Sequence, residues 1–418
     1  MKKFLSQNKR RIATAVYSMF TAMALLFASY IVTNIGFSIS GEADLIKKCN
    51  IALNNLFDYN RGVPDSILFV NVGYDKQLAD IYDEDGFPLG NIDVTNRYSL
   101  YKFLDILSQR NDYKYIVLDV FFDEGLCTED DSLLFAKIAS MERIVIPSTR
   151  DGVLVTDEGL QKKAALSDYT TTFFSGGYHK FELESNGNIS IPYRMYKDVT
   201  GEEITHRGIF YYSSGQLCNR TLFSRAFITP DGMYDKNGNR NYYNLGSDLL
   251  SDEESLSRDN LLKEKYIFIG DMVLTDTHET VMGGMQGVVI LANTFTSLMK
   301  RQHIIPFTVK ITLLIIFFLF AYQIYTEKSL FMRIVEWRNK RGLDSFPTLG
   351  LVFSYFTYSF TLSTTCLLFY HIYGVAYDIF ITATLLQIID YIVAHRSQIK
   401  KYASVIGRKG ISIFKKQA

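Results

Sequence analysis

The sequence predicts an α/β domain, a mostly parallel sheet with helices and β-hairpin insertions, held outside the cytoplasm by an α-helical membrane region of four transmembrane helices. Three observations carry this: long uncharged stretches near both ends, a marked asymmetry of charge along the chain, and alternating strand and helix patterns between residues 66 and 299.

The membrane segments come first. Residues Ile12 to Gly36 are 25 residues without a charge, enough to cross a hydrocarbon core of about 30 Å as a helix. The basic head before them fits a signal peptide, but the apolar part is too long and no small-x-small cleavage site follows, so residues 12–36 read as an uncleaved anchor. The second run, 304–326, carries only Lys310 near one end, where a long stem reaches the headgroups. Residues 345–377 contain no Asp, Glu, Lys or Arg. With the stretch to Ala394 they suit two crossings, 347–369 and 374–394, turning at Tyr370-His371-Ile372-Tyr373-Gly374.

Charge sets the orientation. Residues 1–11 hold five basic and no acidic side chains, the loop 327–346 holds five basic against three acidic, and the tail 395–418 holds seven basic and none acidic. Positive flanks stay cytoplasmic, which leaves 37–303 outside. Residues 37–305 count 26 Lys and Arg against 39 Asp and Glu, so the zero net charge of the chain hides a strong polarity. Cys49, Cys127, Cys218 and Cys366 show no metal-like spacing; whether the first three form a disulfide stays open.

Within the outer segment, Ser66–Asp75, Tyr115–Phe122, Ile144–Pro147 and Tyr266–Gly270 read as buried strands. Tyr98–Arg110, Asp130–Ser140 and Gly287–Met299 read as helices, the last leading to the membrane. Near-continuous apolar strands alternating with helices indicate a parallel or mostly parallel sheet covered by helices. The middle, Gly152 to Asn260, is rich in Tyr, Asn, Gly and Ser, with turn signals at Asn186-Gly187, Asp231-Gly232 and Asn237-Gly238, and reads as hairpins and long loops.

Several stretches resemble bacterial CHASE2-type sensors. They are Ile67–Asp75, Tyr115-Ile-Val-Leu-Asp-Val-Phe-Phe-Asp123 followed by Glu129–Ala136, the turn, strand and arginine of Asn186–Arg194, and Lys265–Gly270 followed by Asp276, His278, Thr280 and Gly287-Val288. The order of anchor, outer domain and grouped membrane helices is also similar. Leu291-Ala292-Asn293 departs from the usual His-Ala pair, and Met285-Gln286 stand where Pro is usual. The resemblance implies sensing, with the signal passed inward to a kinase, cyclase or other effector. It implies no particular ligand.

Candidate ligand-binding residues are the aspartates that follow predicted strands: Asp75, Asp119 with Asp123, and Asp271. Ligands of open α/β sheets sit beyond the carboxyl ends of the strands; the bland alternative is that Asp starts turns by bonding its own backbone. Asp276, His278 and Glu279 form a further candidate, a small metal or acid–base cluster, against the alternative of a loop hydrogen-bond network. Asp130-Asp131 reads as a solvated helix start, and Asp378 and Asp390 as membrane-helix acids satisfied by headgroups or Lys310. Two-histidine zinc signatures, nucleophile elbows, phosphate loops and dinucleotide fingerprints are absent, so no catalytic or metal residue is assigned and the cofactor stays unknown.

Only 24 residues follow the last predicted membrane helix, too few for an output domain. The expectation is a multi-pass sensor subunit, not an enzyme, in the bacterial inner membrane, with its large domain on the periplasmic side. Its expected partners are membrane lipids, a separate signalling effector and a second copy of itself, not nucleic acid. Lys400, Lys401, Arg408, Lys409 and Phe414 of the basic tail are candidates for docking the effector, or for lying on anionic headgroups. The rival readings are a structural scaffold of an envelope complex and, more weakly, an external hydrolase.

Overall fold

The computed structural model describes residues 2–36, 41–57, 61–82, 85, 87–122, 125–149, 157–167, 177, 179–258, 260–273, 276–326, 333, 336–337, 340 and 349–396. The chain divides into two compact units. One holds residues 1–35, 39–42 and 305–418, the other residues 36–38 and 43–304.

The second unit is built on six parallel strands: β1 Ile67–Asn71, β2 Tyr115–Leu118, β3 Ile144–Ser148, β4 Ala164–Leu166, β5 Tyr243–Asn244 and β6 Tyr266–Gly270. Their spatial order is β5-β1-β6-β2-β3-β4, so the last strand in the chain lies at the centre, paired in parallel with β1 and β2. The reason the strands are apolar throughout is visible in the packing. Ile67, Phe69, Tyr115, Val117, Val145 and Phe268 face one core, while Leu68, Val70, Ile116, Leu118, Ile144, Ile146, Ile267 and Ile269 face another. Alternate residues point to opposite faces of a sheet, and here both faces are buried.

Numbering helices in chain order, α1 is Lys2–Thr33, α2 Glu42–Phe57, α3 Arg97–Arg110, α4 Asp131–Ser140, α5 Ile191–Thr200 and α6 Gly287–Met299. Helices α3 and α4 cover one face through Leu100, Phe103, Leu104, Leu107, Leu134, Phe135 and Ile138. Helices α5 and α6 cover the other, through Ile191, Met195 and the run Val288–Ala292. Asn96 caps α3 by accepting from the Ser99 N–H at 2.8 Å, and Asn111 ends it in the left-handed conformation.

The parallel-sheet α/β core thus agrees with the sequence. Four details differ. Strand β2 stops at Leu118 rather than Phe122. After the two-residue strand Asn188–Ile189, the stretch to Arg194 enters α5, with Pro192 in its first turn, where a longer strand was expected. Two edge strands, β4 and β5, lie inside the middle region read as insertion. An antiparallel hairpin, Lys76–Tyr82 with Pro88–Thr95, stands between β1 and α3. The rest of the middle does form hairpins: Ile204–Arg207, Phe210–Ser213 and Gln216–Cys218 make a meander, and Asn186 and Gly187, both at positive φ, turn the short pair Glu184–Ser185 and Asn188–Ile189. Among the described residues, none of the four cysteines forms a disulfide.

The helices of the first unit include α1, α7 Phe307–Tyr325, α8 Leu349–Tyr373 and α9 Phe380–Ala394. Among the described residues, two helices are long and apolar enough to cross a membrane, Lys9–Thr33 and Phe307–Tyr325. Helix α8 is 25 residues long but carries many Ser, Thr and Tyr, and α9 is 15 residues, about 22 Å at 1.5 Å per residue. Gly374, at φ 73°, ends α8 where the sequence placed the turn. Thr21 and Tyr325 hydrogen-bond at 2.9 Å between α1 and α7. Asp390 is buried and accepts from the Tyr358 hydroxyl at 2.9 Å, so the neighbouring helix supplies one of its partners. Asp378 accepts the Ile381 N–H at 2.8 Å at the start of α9.

Candidate functional site

The carboxyl ends of β1, β6 and β2 carry the polar residues of interest. Asn71, the last residue of β1, is fully buried. Its side-chain Nδ2 donates to Asn244 Oδ1 at 2.9 Å, and its side-chain Oδ1 accepts the N–H groups of Gly73 and Met272, both at 2.9 Å. One side chain therefore ties together the ends of β1, β5 and β6. Asp75, just beyond β1, accepts the Gly246 N–H at 3.1 Å. Its other oxygen is buried without a hydrogen-bond partner among the described residues. Asp271, just beyond β6, accepts the Val273 N–H at 2.7 Å and lies 3.8 Å from Lys76.

A second group forms where β2 and β6 meet the start of α6. His278 Nε2 and Asp276 Oδ1 are 3.1 Å apart. Asp276 abuts the first residue of α6: a Cβ on Gly287 would lie 2.7 Å from Asp276 Oδ2. Gly270 plays the matching role on the sheet, since its Cβ would stand 3.0 Å from Val288 and 3.3 Å from Asp119 Cβ. The two glycines let the helix start, the strand end and the carboxylates approach one another. The antiparallel pair Thr277–Thr280 and Gly283–Gln286 holds His278 and leads directly into α6.

The electrostatics follow from this geometry. Burial, reinforced by the Asp276 carboxylate and opposed by His278, pushes the Asp119 carboxyl up to about 7. The hydrogen bond to Asp276 raises His278 above the ordinary imidazole range, with further help from the charges of Asp276 and Asp119 and opposition from burial. The negative Asp276 also lies at the positive end of the α6 dipole. A histidine and two carboxylates thus meet at the start of one helix. Among the described residues, no three His, Cys, Asp or Glu side chains are arranged to hold a metal ion.

The sequence-derived candidates therefore fall into two groups: Asp75 and Asp271 with Asn71 and Lys76, and Asp119 with Asp276 and His278. Asp123 and the tail residues Lys400, Lys401, Arg408, Lys409 and Phe414 lie outside the described residues. One reading is corrected. Asp131 is not a solvated helix start but is wholly buried, 3.1 Å from an equally buried Arg97. It accepts the N–H groups of Cys127 and Thr128 at 2.8 and 2.6 Å, and the Arg97 guanidinium lies 4.7 Å from the centre of the Phe122 ring.

Helix α6 is gripped along its length as well as at its start. Asn293 is buried, accepts the N–H groups of Phe227 and Ile228 at 2.7 and 2.8 Å, and donates to the Ile228 carbonyl at 3.0 Å. Asn293 thus staples the helix to the 227–228 segment.

The fold and site define a covered parallel α/β domain with a polar strand-end site, flanked in the sequence by two apolar helices. The chain belongs to the CHASE2 domain family, which matches residues 51–324, more than half of the chain. CHASE2 domains are extracytoplasmic sensory domains. The match runs past the outer segment expected at 37–303 and into α7. No curated protein and no solved structure matches the chain.

Proposed function

We infer that this chain is a non-enzymatic sensor subunit of a bacterial cytoplasmic membrane. In this reading it crosses four times, holds residues 37–303 outside, and passes an external signal to a separate effector. The observation that carries the reading is the short connection, residues 300–306, between α6 and α7. The strand-end cluster of Asp119, Asp276 and His278 adjoins the first residue of α6. Residues 300–306 then join its end to the apolar helix α7, and the family match includes all three segments. A change of charge or packing in the outer domain therefore has a covalent path to a membrane-spanning helix. Ligand-driven change requires different interaction free energies in the two states, and the start of α6 is where such a difference would act.

The effector docks, on this account, on the cytoplasmic tail through Lys400, Lys401, Arg408, Lys409 and Phe414, the same charges also favouring anionic lipid. Two experiments test the proposal. Reporter fusions at Arg10, Asn339 and Ala418 should register cytoplasmic and one at Asn237 external; an external Ala418 would remove one crossing. Affinity purification from gently solubilised membranes should recover one effector protein with the full chain and lose it when residues 404–418 are deleted. Recovery of envelope-assembly proteins instead would favour a scaffold.

A further inference from the structure

At the opposite end of the sheet from the strand-end site, a cavity of about 460 Å³ opens between the amino ends of β2 and β6 and the carboxyl end of α5. Most of its charged lining is already engaged. Asp198 accepts from the Tyr115 hydroxyl at 2.6 Å and from Arg194 at 3.1 Å. Arg143 donates to the Asn111 carbonyl at 2.9 Å and lies over the Tyr113 ring. Lys114 and Glu264 are different. They face each other at 3.8 Å, too long for a hydrogen bond, and the Lys114 ammonium lies 5.3 Å from the centre of the Tyr266 ring.

Glu264 also occupies an unusual backbone position. Its φ is 58°, held by its N–H donating to the Asp112 carbonyl at 2.9 Å. Left-handed backbone of this kind suits Gly or Asn, and a longer side chain there costs roughly 1 kcal/mol. The chain keeps a carboxylate at that position on the rim of the cavity, opposite an ammonium it does not close upon.

We propose that this cavity binds a small zwitterion carrying one carboxylate and one ammonium, the chemistry of a free α-amino acid. The ligand carboxylate takes Lys114, its ammonium takes Glu264, and its side chain lies against the Tyr113 and Tyr266 rings. The exchange leaves the net charge of the cavity unchanged, and it replaces one long ion pair by two short ones. Charge-assisted hydrogen bonds of this kind are the stronger sort. The pocket also has a physical link to the proposed output helix: the Tyr266 ring packs against Phe295 of α6, centroids 5.0 Å apart in a T-shaped pair. That coupling rests on the sensor reading given above, whereas binding itself does not.

The test uses the full chain in detergent micelles or nanodiscs. Each common α-amino acid, and its uncharged N-acetyl amide as control, is titrated calorimetrically and by thermal unfolding. At least one free amino acid should bind and raise the Tm, because a ligand that binds only the folded state stabilises it; its N-acetyl amide should do neither. Lys114→Met and Glu264→Asn replace side chains that are 39% and 71% exposed, and Asn tolerates the left-handed backbone, so neither variant should lower the unliganded Tm. Each should weaken binding about tenfold or more, the equivalent of about 1.4 kcal/mol. The proposal is overturned if no free amino acid binds the native chain, or if binding survives in both variants. Binding without any change in the hydrogen exchange of α6 would leave the site standing and refute only its coupling to the sensor output.

Discussion

Arg97 and Asp131 open two different helices and meet at 3.1 Å, with side chains 1% and 0% exposed. Each occupies the first turn of its helix, so the pair locks α3 to α4 at the carboxyl end of the sheet. Burying two charges is expensive, and removing one leaves the other uncompensated.

Asp131→Asn or Arg97→Met should therefore destabilise the outer domain by about 3–5 kcal/mol. Thermal unfolding of the purified full chain checks this, with a fall in Tm on the order of 10 °C. The double replacement Arg97→Met with Asp131→Leu should recover much of the loss. A single variant with an unchanged Tm would remove the pair as a structural lock.

This pair also marks where the sequence was under-read. Asp131 lies three, four and seven residues before Leu134, Phe135 and Ile138, and Arg97 lies three and seven before Leu100 and Leu104. Helical spacing therefore places both on the buried face. A solvated helix start belongs on the other face, as the periodicity already indicated. The central strands and α6 were legible because their apolar runs have no competing reading. Strands β4 and β5 were not: at three and two residues they have no period of their own, and pairing with β3 and β1 defines them. In the site, Asp276 and His278 were legible as neighbours two residues apart. Joining them to Asp119 required the chain order of the sheet, with β6 inserted beside β2.

The strand-end cluster predicts a pH dependence of definite sign. Asp119 is raised to about 7 in the folded chain, above its unfolded value of 3.8, and His278 is raised above 6.5. Both groups bind protons more tightly when folded. Their contribution to stability is thus fullest at low pH and is lost as pH rises toward and through those folded values. Asp119→Asn should raise stability at pH 8 by an amount on the order of 2 kcal/mol, flattening the profile between pH 5 and 8. Unfolding curves across that range measure it; an equally steep profile in the variant would contradict the assignment.

Gly287→Ala tests the close approach of Asp276 to α6. The added methyl would stand 2.7 Å from Asp276 Oδ2, so the carboxylate must turn away. The expected cost is about 1–3 kcal/mol, with His278 losing its partner and titrating nearer to 6.5. NMR titration of the His278 ring would record the shift, and an unmoved titration would mean that Asp276 had found another way to hold it.

Within the helical unit, Tyr358→Phe removes the hydrogen bond that joins α8 to α9 and leaves Asp390 buried without it. The loss should be about 1 kcal/mol, read from detergent-induced unfolding of the full chain. An unchanged midpoint would show that Asp390 relies on other contacts.

The central claim is that the state of the outer domain reaches α7 through α6. Hydrogen–deuterium exchange along residues 276–325 of the full chain in nanodiscs tests it directly, comparing pH 6 with pH 8 and the native chain with Asp119→Asn at pH 8. The account predicts that exchange in 287–306 differs between the two pH values, and that Asp119→Asn at pH 8 reproduces the pH 6 pattern through residue 306. A difference confined to 276–286, or a variant indistinguishable from the native chain at pH 8, would contradict it.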